Sequence, residues 1–222
     1  MDLSKSYEYF KPEMCKGTVH IIGCGSVGST VAENLARCGV TKFALWDFDV
    51  VEPHNIVNQM FRYKDVGRPK NEALKDILVE INPEIERDIQ LFGGWNGEIL
   101  GGYVFLCADS LKVRQEMVKT HQYRPGVKAM FDFRTRLEDA QHYAADWSNK
   151  EQIRNLLATM DFTEEEAAAE TPVSACGITL SVCPTIRIIC AYCVANFVNF
   201  LRGKPIKKMI VADAFSFDTV SF

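Results

Sequence analysis

Apolar residues fall in short runs whose spacing changes along the chain. Residues 18–23, 42–47 and 103–109 are β-rich and apolar, as expected of strands covered on both faces. Between them, residues 26–38 carry Val27, Val31 and Leu35 at helical spacing, and residues 69–82 place Leu74, Ile77, Leu78 and Ile81 on one helical face. Gly39 stops the first helix. The opening strand, helix and strand therefore predict a β-α-β unit with a right-handed parallel crossover. Residues 49–65 form a long polar connection and read as a binding loop. A helix over 111–122 and a strand over 127–133 follow.

The second half is more irregular. Residues 142–147 read as an antiparallel return strand. Ser148 reads as the N-cap of a helix to residue 159, with Glu151 completing a capping box. Residues 161–175 lack periodicity and read as a mobile crossover segment. The run Glu164, Glu165 and Glu166 there reads as a solvated helix start or a loop. Pro184 starts a long helix to residue 202, ended by Gly203 and Pro205, and residues 208–217 make a last strand. No repeat or linker divides the chain. The expected fold is α/β: one doubly wound, Rossmann-like, mostly parallel sheet with helices on both faces. It spans 1–222, with a nucleotide-binding half at 1–135 and the crossover segment, long helix and final strand at 136–222.

Composition narrows the functions. The 222 residues are 47% hydrophobic, enough for a sizeable core, and the net charge of −4 argues against a general nucleic-acid or membrane-surface binder. No apolar run approaches the ~20 residues that span a bilayer. The longest, 186–201, is interrupted by Arg187, Asn196 and Asn199 and reads as a buried helix. Eight cysteines could suggest a disulfide scaffold. The chain is long, however, residues 1–16 carry no secretory signal, and several cysteines sit in apolar runs where a free thiol packs as a small hydrophobe. A reducing cytoplasm is the expected setting.

The turn Gly23-Cys24-Gly25-Ser26-Val27-Gly28 follows a strand and opens a helix, the context of a dinucleotide fingerprint. Gly23 allows a tight turn, Gly25 lets backbone approach a phosphate, and Gly28 permits close helix–sheet packing, with the amides around Ser26 facing the anion. Asp47, at the end of the next strand, is placed to accept hydrogen bonds from a ribose diol. Both NAD and ATP satisfy these features.

The following segment separates them. It reads Asp47-Phe-Asp49-Val-Val-Glu52-Pro-His-Asn55-Ile-Val-Asn58-Gln59, and then Val66-Gly67-Arg68-Pro69-Lys70. This resembles the ThiF/HesA/MoeB family of adenylating enzymes, which share the catalytic fold of ubiquitin-activating enzymes. Their pattern is D-x-D-x-V-E-x-x-N-L-x-R-Q followed by V-G-x-x-K. The resemblance runs from the first strand to the last helix and is nearest to short, divergent ThiF-like proteins of bacteria and phages. It implies an enzyme that binds ATP and Mg2+ and activates a carboxylate as an acyl adenylate with release of pyrophosphate. The carboxylate is expected to be the C-terminus of a small carrier protein or peptide. It also implies a homodimer.

Carried over residue by residue, the resemblance makes Lys70 the phosphate-reaching lysine and Asp109 the aspartate that holds magnesium. Asp109 could instead cap the helix starting at Leu111. Asp49, Asn55, Asn58 and Gln59 line the ATP site, although Asn55 and Gln59 could equally hold their loop together. Two departures stand out. Asn58 occupies the family arginine position, leaving Arg62 and Arg68 as candidates to supply the charge, and the N-terminal segment from Ser6 lacks the arginine of R-Y-x-R-Q. Cys176 matches a cysteine that takes a carrier as a covalent adduct in sulfur-carrier members, or it packs at a loop exit. Family zinc sites use two C-x-x-C pairs, whereas only Cys190 and Cys193 have that spacing here, inside the long helix. No zinc is expected. Arg134 resembles a D-x-R position of the divergent members. It either binds the substrate carboxylate or bridges to Asp132 or Glu138.

Two other functions compete. An NAD-dependent oxidoreductase is supported by the glycine turn and Asp47 alone, with no catalytic acid/base pair in view. A catalytically degenerate ATP-binding protein is supported by Asn58 and the missing N-terminal arginine.

Overall fold

The computed structural model describes residues 1–169, 172–174 and 180–222, apart from the side chains of Glu164 and Ala168. Strands β1 (Val19–Ile22), β2 (Phe43–Trp46), β3 (Ile89–Phe92), β4 (Gly102–Leu106) and β5 (Val127–Thr135) pair in parallel. Strands β6 (Asp139–Asp146), β7 (Met209–Asp213) and β8 (Thr219–Ser221) continue the sheet in antiparallel fashion. The spatial order is β3-β2-β1-β4-β5-β6-β7-β8. Strand direction across the sheet thus reverses from parallel to antiparallel at β6, while the order of connection switches between β1 and β4.

The helices are α1 (Ser26–Arg37), α2 (Lys70–Ile81), α3 (Leu111–His121), α4 (Lys150–Ala158), α5 (Glu164–Ala169) and α6 (Cys183–Leu201). Every residue of β1, β2 and β4 is buried, because helices cover both sides. The two-residue period of a strand divides the core. Ile21, Phe43, Leu45, Tyr103 and Phe105 join Val31, Leu35, Leu74, Leu78 and Phe197 on the face covered by α1, α2 and α6. Ile22, Ala44, Trp46, Val104 and Leu106 join Met117, Val118, Ile153 and Leu156 on the face covered by α3 and α4. The doubly wound α/β expectation holds.

Helix α6 is the structural keel of the first face. Phe197 meets Tyr103, Phe105 and Phe131 edge-on, with ring centroids 5.0, 5.4 and 5.5 Å away. At 19 residues and a mean hydropathy of 1.4, α6 is long and apolar enough to cross a bilayer by length and composition alone. That corrects the expectation that no stretch reaches this length. Half of that window is buried inside the molecule, and its polar Asn196 is fully used. The Asn196 side chain donates to the Lys207 carbonyl, accepts from the Lys207 amide and donates to His142 Nε2.

Several boundaries differ from expectation for local reasons. β3 was not foreseen: it is a four-residue edge strand of alternating half-exposed positions. The N-cap of α4 is Asn149 rather than Ser148, because Asn149 Oδ1 accepts from the amides of Glu151 and Gln152 while the Ser148 amide is taken by Asp146. The acidic run forms the start of α5, where Thr163 and Glu166 make a reciprocal capping box. The last expected strand, 208–217, ends early as β7, and β8 beyond it has no counterpart among the expected elements. Asp213 Oδ1 accepts from the amides of Phe215 and Ser216 and turns the chain back.

His142 is fully enclosed. Its Nδ1 donates to the Asp132 carbonyl and its Nε2 accepts from Asn196, which fixes a neutral ring. Burial lowers its pKa to about 4. The unfolded value is near 6.5, so the unfolded chain takes up the proton first. The contribution to stability is complete above pH 6.5 and is lost as pH falls toward 4. Lowering pH from 6.5 to 5 is expected to cost about 2 kcal/mol from this group. Urea unfolding midpoints of the wild type and His142→Gln test this. A pH slope equal in the two proteins contradicts it.

Candidate functional site

The turn between β1 and α1 sits at the carboxyl edge of the sheet, where the strand order switches, which is the usual ligand crevice of such folds. Its three glycines have distinct jobs. Gly23 adopts φ +92, and a Cβ there would lie 2.8 Å from the Cys107 carbonyl oxygen and 2.9 Å from the Ala108 amide. A Cβ on Gly28 would lie 1.9 Å from the Gly23 carbonyl oxygen, so only glycine lets α1 start this close to the sheet. A Cβ on Gly25 would meet nothing within 4 Å. The turn is therefore closed below and open above, a cradle sized for an approaching group rather than a packed corner.

Asp47 ties this turn to the next. Its Oδ2 accepts from the Cys24 amide at 2.6 Å and its Oδ1 from the Asp49 amide at 2.8 Å. Burial raises its pKa, and the amide bonds together with nearby Lys70 oppose that shift. Lys70 is the first residue of α2 and is 8% exposed, unlike an ordinary surface lysine. Its Nζ donates to Asp49 Oδ2 at 2.9 Å. A cation at a helix N-terminus opposes the helix dipole, and Asp49 offsets this. An anion arriving at the turn competes with Asp49 for the same ammonium.

Asp109 lies just beyond the Cys107–Ala108 peptide that abuts Gly23, and it is exposed. It does not cap α3. Ser110 does so, its Oγ accepting from the Val113 amide at 3.3 Å. The Asp109 carboxylate is therefore left over from the helix-capping role. Among the described residues no group of three or more His, Cys, Asp or Glu side chains could hold a metal alone. One open carboxylate suits Mg2+, which commonly takes one or two carboxylates and completes its shell with substrate phosphate and water.

The loop after β2 packs on α1 through Ser29, whose Oγ accepts from the Met60 amide at 3.1 Å. Asn55 is buried, and its Oδ1 accepts from the Glu52 amide, so this side chain holds the loop. Asn58 closes the same short 3-10 turn. Gln59 Oε1 is buried with no hydrogen-bond partner among the described residues, which leaves it an acceptor in want of a donor.

Other candidates lie elsewhere. Arg62 pairs with Glu80 at 2.7 Å, near the far end of α2 from Lys70. Arg68 pairs with Asp76 and Asp65. Neither guanidinium is brought to the turn, so the proposed replacements for the family arginine are held by local carboxylates. Arg134 contacts Asp132 and Thr159 and lies over the rings of Tyr143 and Phe162, which favours the ion-pair reading over a free carboxylate receptor. Arg114 reaches the same Asp132 from α3. Cys190 and Cys193 are buried in α6, where the Cys190 thiol faces the Val27 carbonyl at 3.7 Å. Cys176 lies outside the described residues. Arg187, on α6, reaches this edge unannounced: its Nη1 donates to Thr30 Oγ1 at 3.0 Å. Its only signal in the sequence was a charge interrupting an apolar helix.

These features define a doubly wound sheet with an anion-receptive turn flanked by two acids and one lysine. The model described as the ThiF family matches residues 13–222, and the chain belongs to that family. Ubiquitin-like modifier-activating enzyme 5 of Caenorhabditis briggsae is 36% identical over 92 residues, which is 41% of this chain and 20% of that protein. The enzyme of the same name from Arabidopsis thaliana is 44% identical over 68 residues, 31% of this chain and 16% of that protein. These matches thus span no more than about a fifth of either relative's length. The solved structure of E. coli MccB with ATP has a TM-score of 0.66 at 19% identity, over 95% of this chain and 65% of that one. At that identity the likeness is one of fold.

Two substitutions separate the jobs of the glycines. Gly25→Ala is expected to keep the melting temperature within about 3 °C, roughly the shift from 1 kcal/mol or less, and to weaken nucleotide binding at least tenfold. Gly28→Ala is expected to destabilise by more than about 3 kcal/mol, as overpacking against backbone does. Thermal melts and calorimetric titration read both. Equal stability of the two variants contradicts the cradle geometry. Likewise Ser110→Ala is expected to cost about 1 kcal/mol as a lost cap, and Asp109→Ala close to nothing. An Asp109→Ala loss as large as that of Ser110→Ala assigns Asp109 to the fold.

Proposed function

We propose that the chain binds ATP at the turn between β1 and α1 and activates a carboxylate as an acyl adenylate, releasing pyrophosphate. The observation that carries this is the open space above Gly25, with Asp47, Lys70 and Asp109 around the turn. Family membership supports it, as does the ATP bound in the structure of E. coli MccB. The name ubiquitin-like modifier-activating enzyme speaks for a small protein or peptide C-terminus as the carboxylate donor.

In this reading the amides of the turn and the N-terminus of α1 receive the phosphates. Lys70 exchanges Asp49 for a phosphate oxygen and offsets the charge that grows on the leaving pyrophosphate. The attacking carboxylate oxygen forms a bond to the α-phosphorus as the bond to the bridging oxygen breaks, so no net proton is transferred. Asp109 would hold Mg2+, whose contribution is further charge neutralisation on the phosphates. Asp47 holds the two turns in register, and the unpartnered Gln59 Oε1 accepts from a nucleotide hydroxyl or amine.

The test is exchange of labelled pyrophosphate into ATP, with candidate ubiquitin-like carriers and peptides supplied in turn. A carrier-dependent rate is expected. Asp109→Ala should lower it at least a hundredfold, the scale of one lost electrostatic stabiliser of the transition state. ATP binding without exchange for any donor identifies a binding protein instead. Tighter binding of NAD than of ATP overturns the reading altogether.

A further inference from the structure

Among the described residues no acidic group neutralises the charge of Arg187. It sits in the second turn of α6, half-buried, and its hydrogen-bond partners are all neutral. Nη1 donates to Thr30 Oγ1 at 3.0 Å and touches Met60 Sδ, and Nε donates to Cys183 Sγ at 3.4 Å. No carboxylate lies within ion-pair distance among the described residues. The other arginines of this region, Arg62, Arg68 and Arg134, each have an acidic partner. Taking a guanidinium partly out of water without a counter-charge is costly, and it is tolerated where an anion completes the site.

The position points to which anion. Thr30 Oγ1, which accepts from Arg187, itself donates to the Ser26 carbonyl at 2.7 Å. The guanidinium thus rests one helical turn, about 5.4 Å, into α1 from the open phosphate turn. Met60 follows Gln59 on the loop that Ser29 fixes to the same helix. Lys70, the cation on the other side of the turn, is already paired with Asp49. Asn58 contributes no charge.

We propose that Arg187 is the cation that binds the β- and γ-phosphates of the nucleotide. It leaves Thr30 and Met60 when ATP arrives, and so supplies from α6 the bidentate fork that the loop after β2 lacks. This rests on the ATP reading above and adds a specificity to it: preference for a triphosphate over a monophosphate comes from α6.

Titration calorimetry with ATP and with AMP, both with Mg2+, separates the possibilities. The wild type is expected to bind ATP at least tenfold more tightly than AMP. Arg187→Met keeps bulk and removes charge. It should lose at least tenfold in ATP affinity and leave AMP affinity within twofold. A merely structural role for Arg187 moves both nucleotides together, and that result overturns the proposal, as does no change in either. Arg187→Lys keeps the charge without the fork and should retain part of the preference for ATP. It decides the matter in the same way if the methionine variant does not fold. Failure of the wild type to bind any adenine nucleotide overturns the ATP reading itself.

Discussion

A single half-buried carboxylate organises the ligand edge. Asp47 closes β2, and its two oxygens accept from amides on either side, Cys24 in the glycine turn and Asp49 in the loop that follows. The first strand's turn and the second strand's turn are thereby set at a fixed separation. Asp49 then holds Lys70 through both its side chain and its carbonyl, which receives the Lys70 amide at 2.9 Å. The chain of contacts from the glycine turn to α2 thus runs through two side chains, Asp47 and Asp49. The desolvation of Asp47 is partly offset by two short hydrogen bonds, as a carboxylate taken partly out of water requires.

The remaining architecture keeps that edge rigid. Continuous burial of β1, β2 and β4 leaves no solvated face on which the strands could slip in register. Phe197 locks α6 to β4 and β5 through three aromatic rings. The polar residues of α6 then have definite work. Asn196 joins the helix to the entry of β7 and to His142, and Arg187 joins it to α1. Of the three polar interruptions the sequence shows in this helix, two, Arg187 and Asn196, anchor it.

Much of this was legible in the sequence because it depends on short-range patterns. The glycine turn, Asp47, the helix from Lys70 and the strand leading to Asp109 all rest on residues whose neighbours in sequence are also their neighbours in space. The two-faced sheet followed from apolar runs that only double burial explains. Features set by distant contacts were not legible. Whether Arg62 faces the turn depends on Glu80, and whether Asp109 is free depends on Ser110 taking the cap instead. β3 is too short to show a period and forms because β2 offers an edge. Arg187 was visible as an interruption of a helix, but its proximity to Thr30 is fixed by the packing of α1 on α6, 157 residues apart in sequence.

The thiols beneath the phosphate turn have a consequence of another kind. Cys24 is enclosed in the turn, and Cys190 and Cys193 are enclosed in α6, with Cys190 across the α1–α6 seam from Val27. Burial pushes all three well above the ordinary thiol range, so in the closed molecule they are poor nucleophiles as well as inaccessible ones. At these three thiols, unlike the partly exposed Cys15, Cys38 and Cys183, an alkylating reagent in solution reacts only when the seam has momentarily parted. The rate at these positions is a clock for breathing of the half that carries the glycine turn, built into the native sequence without any added label. A ligand that binds only the closed turn slows that clock by the factor 1 + [L]/Kd.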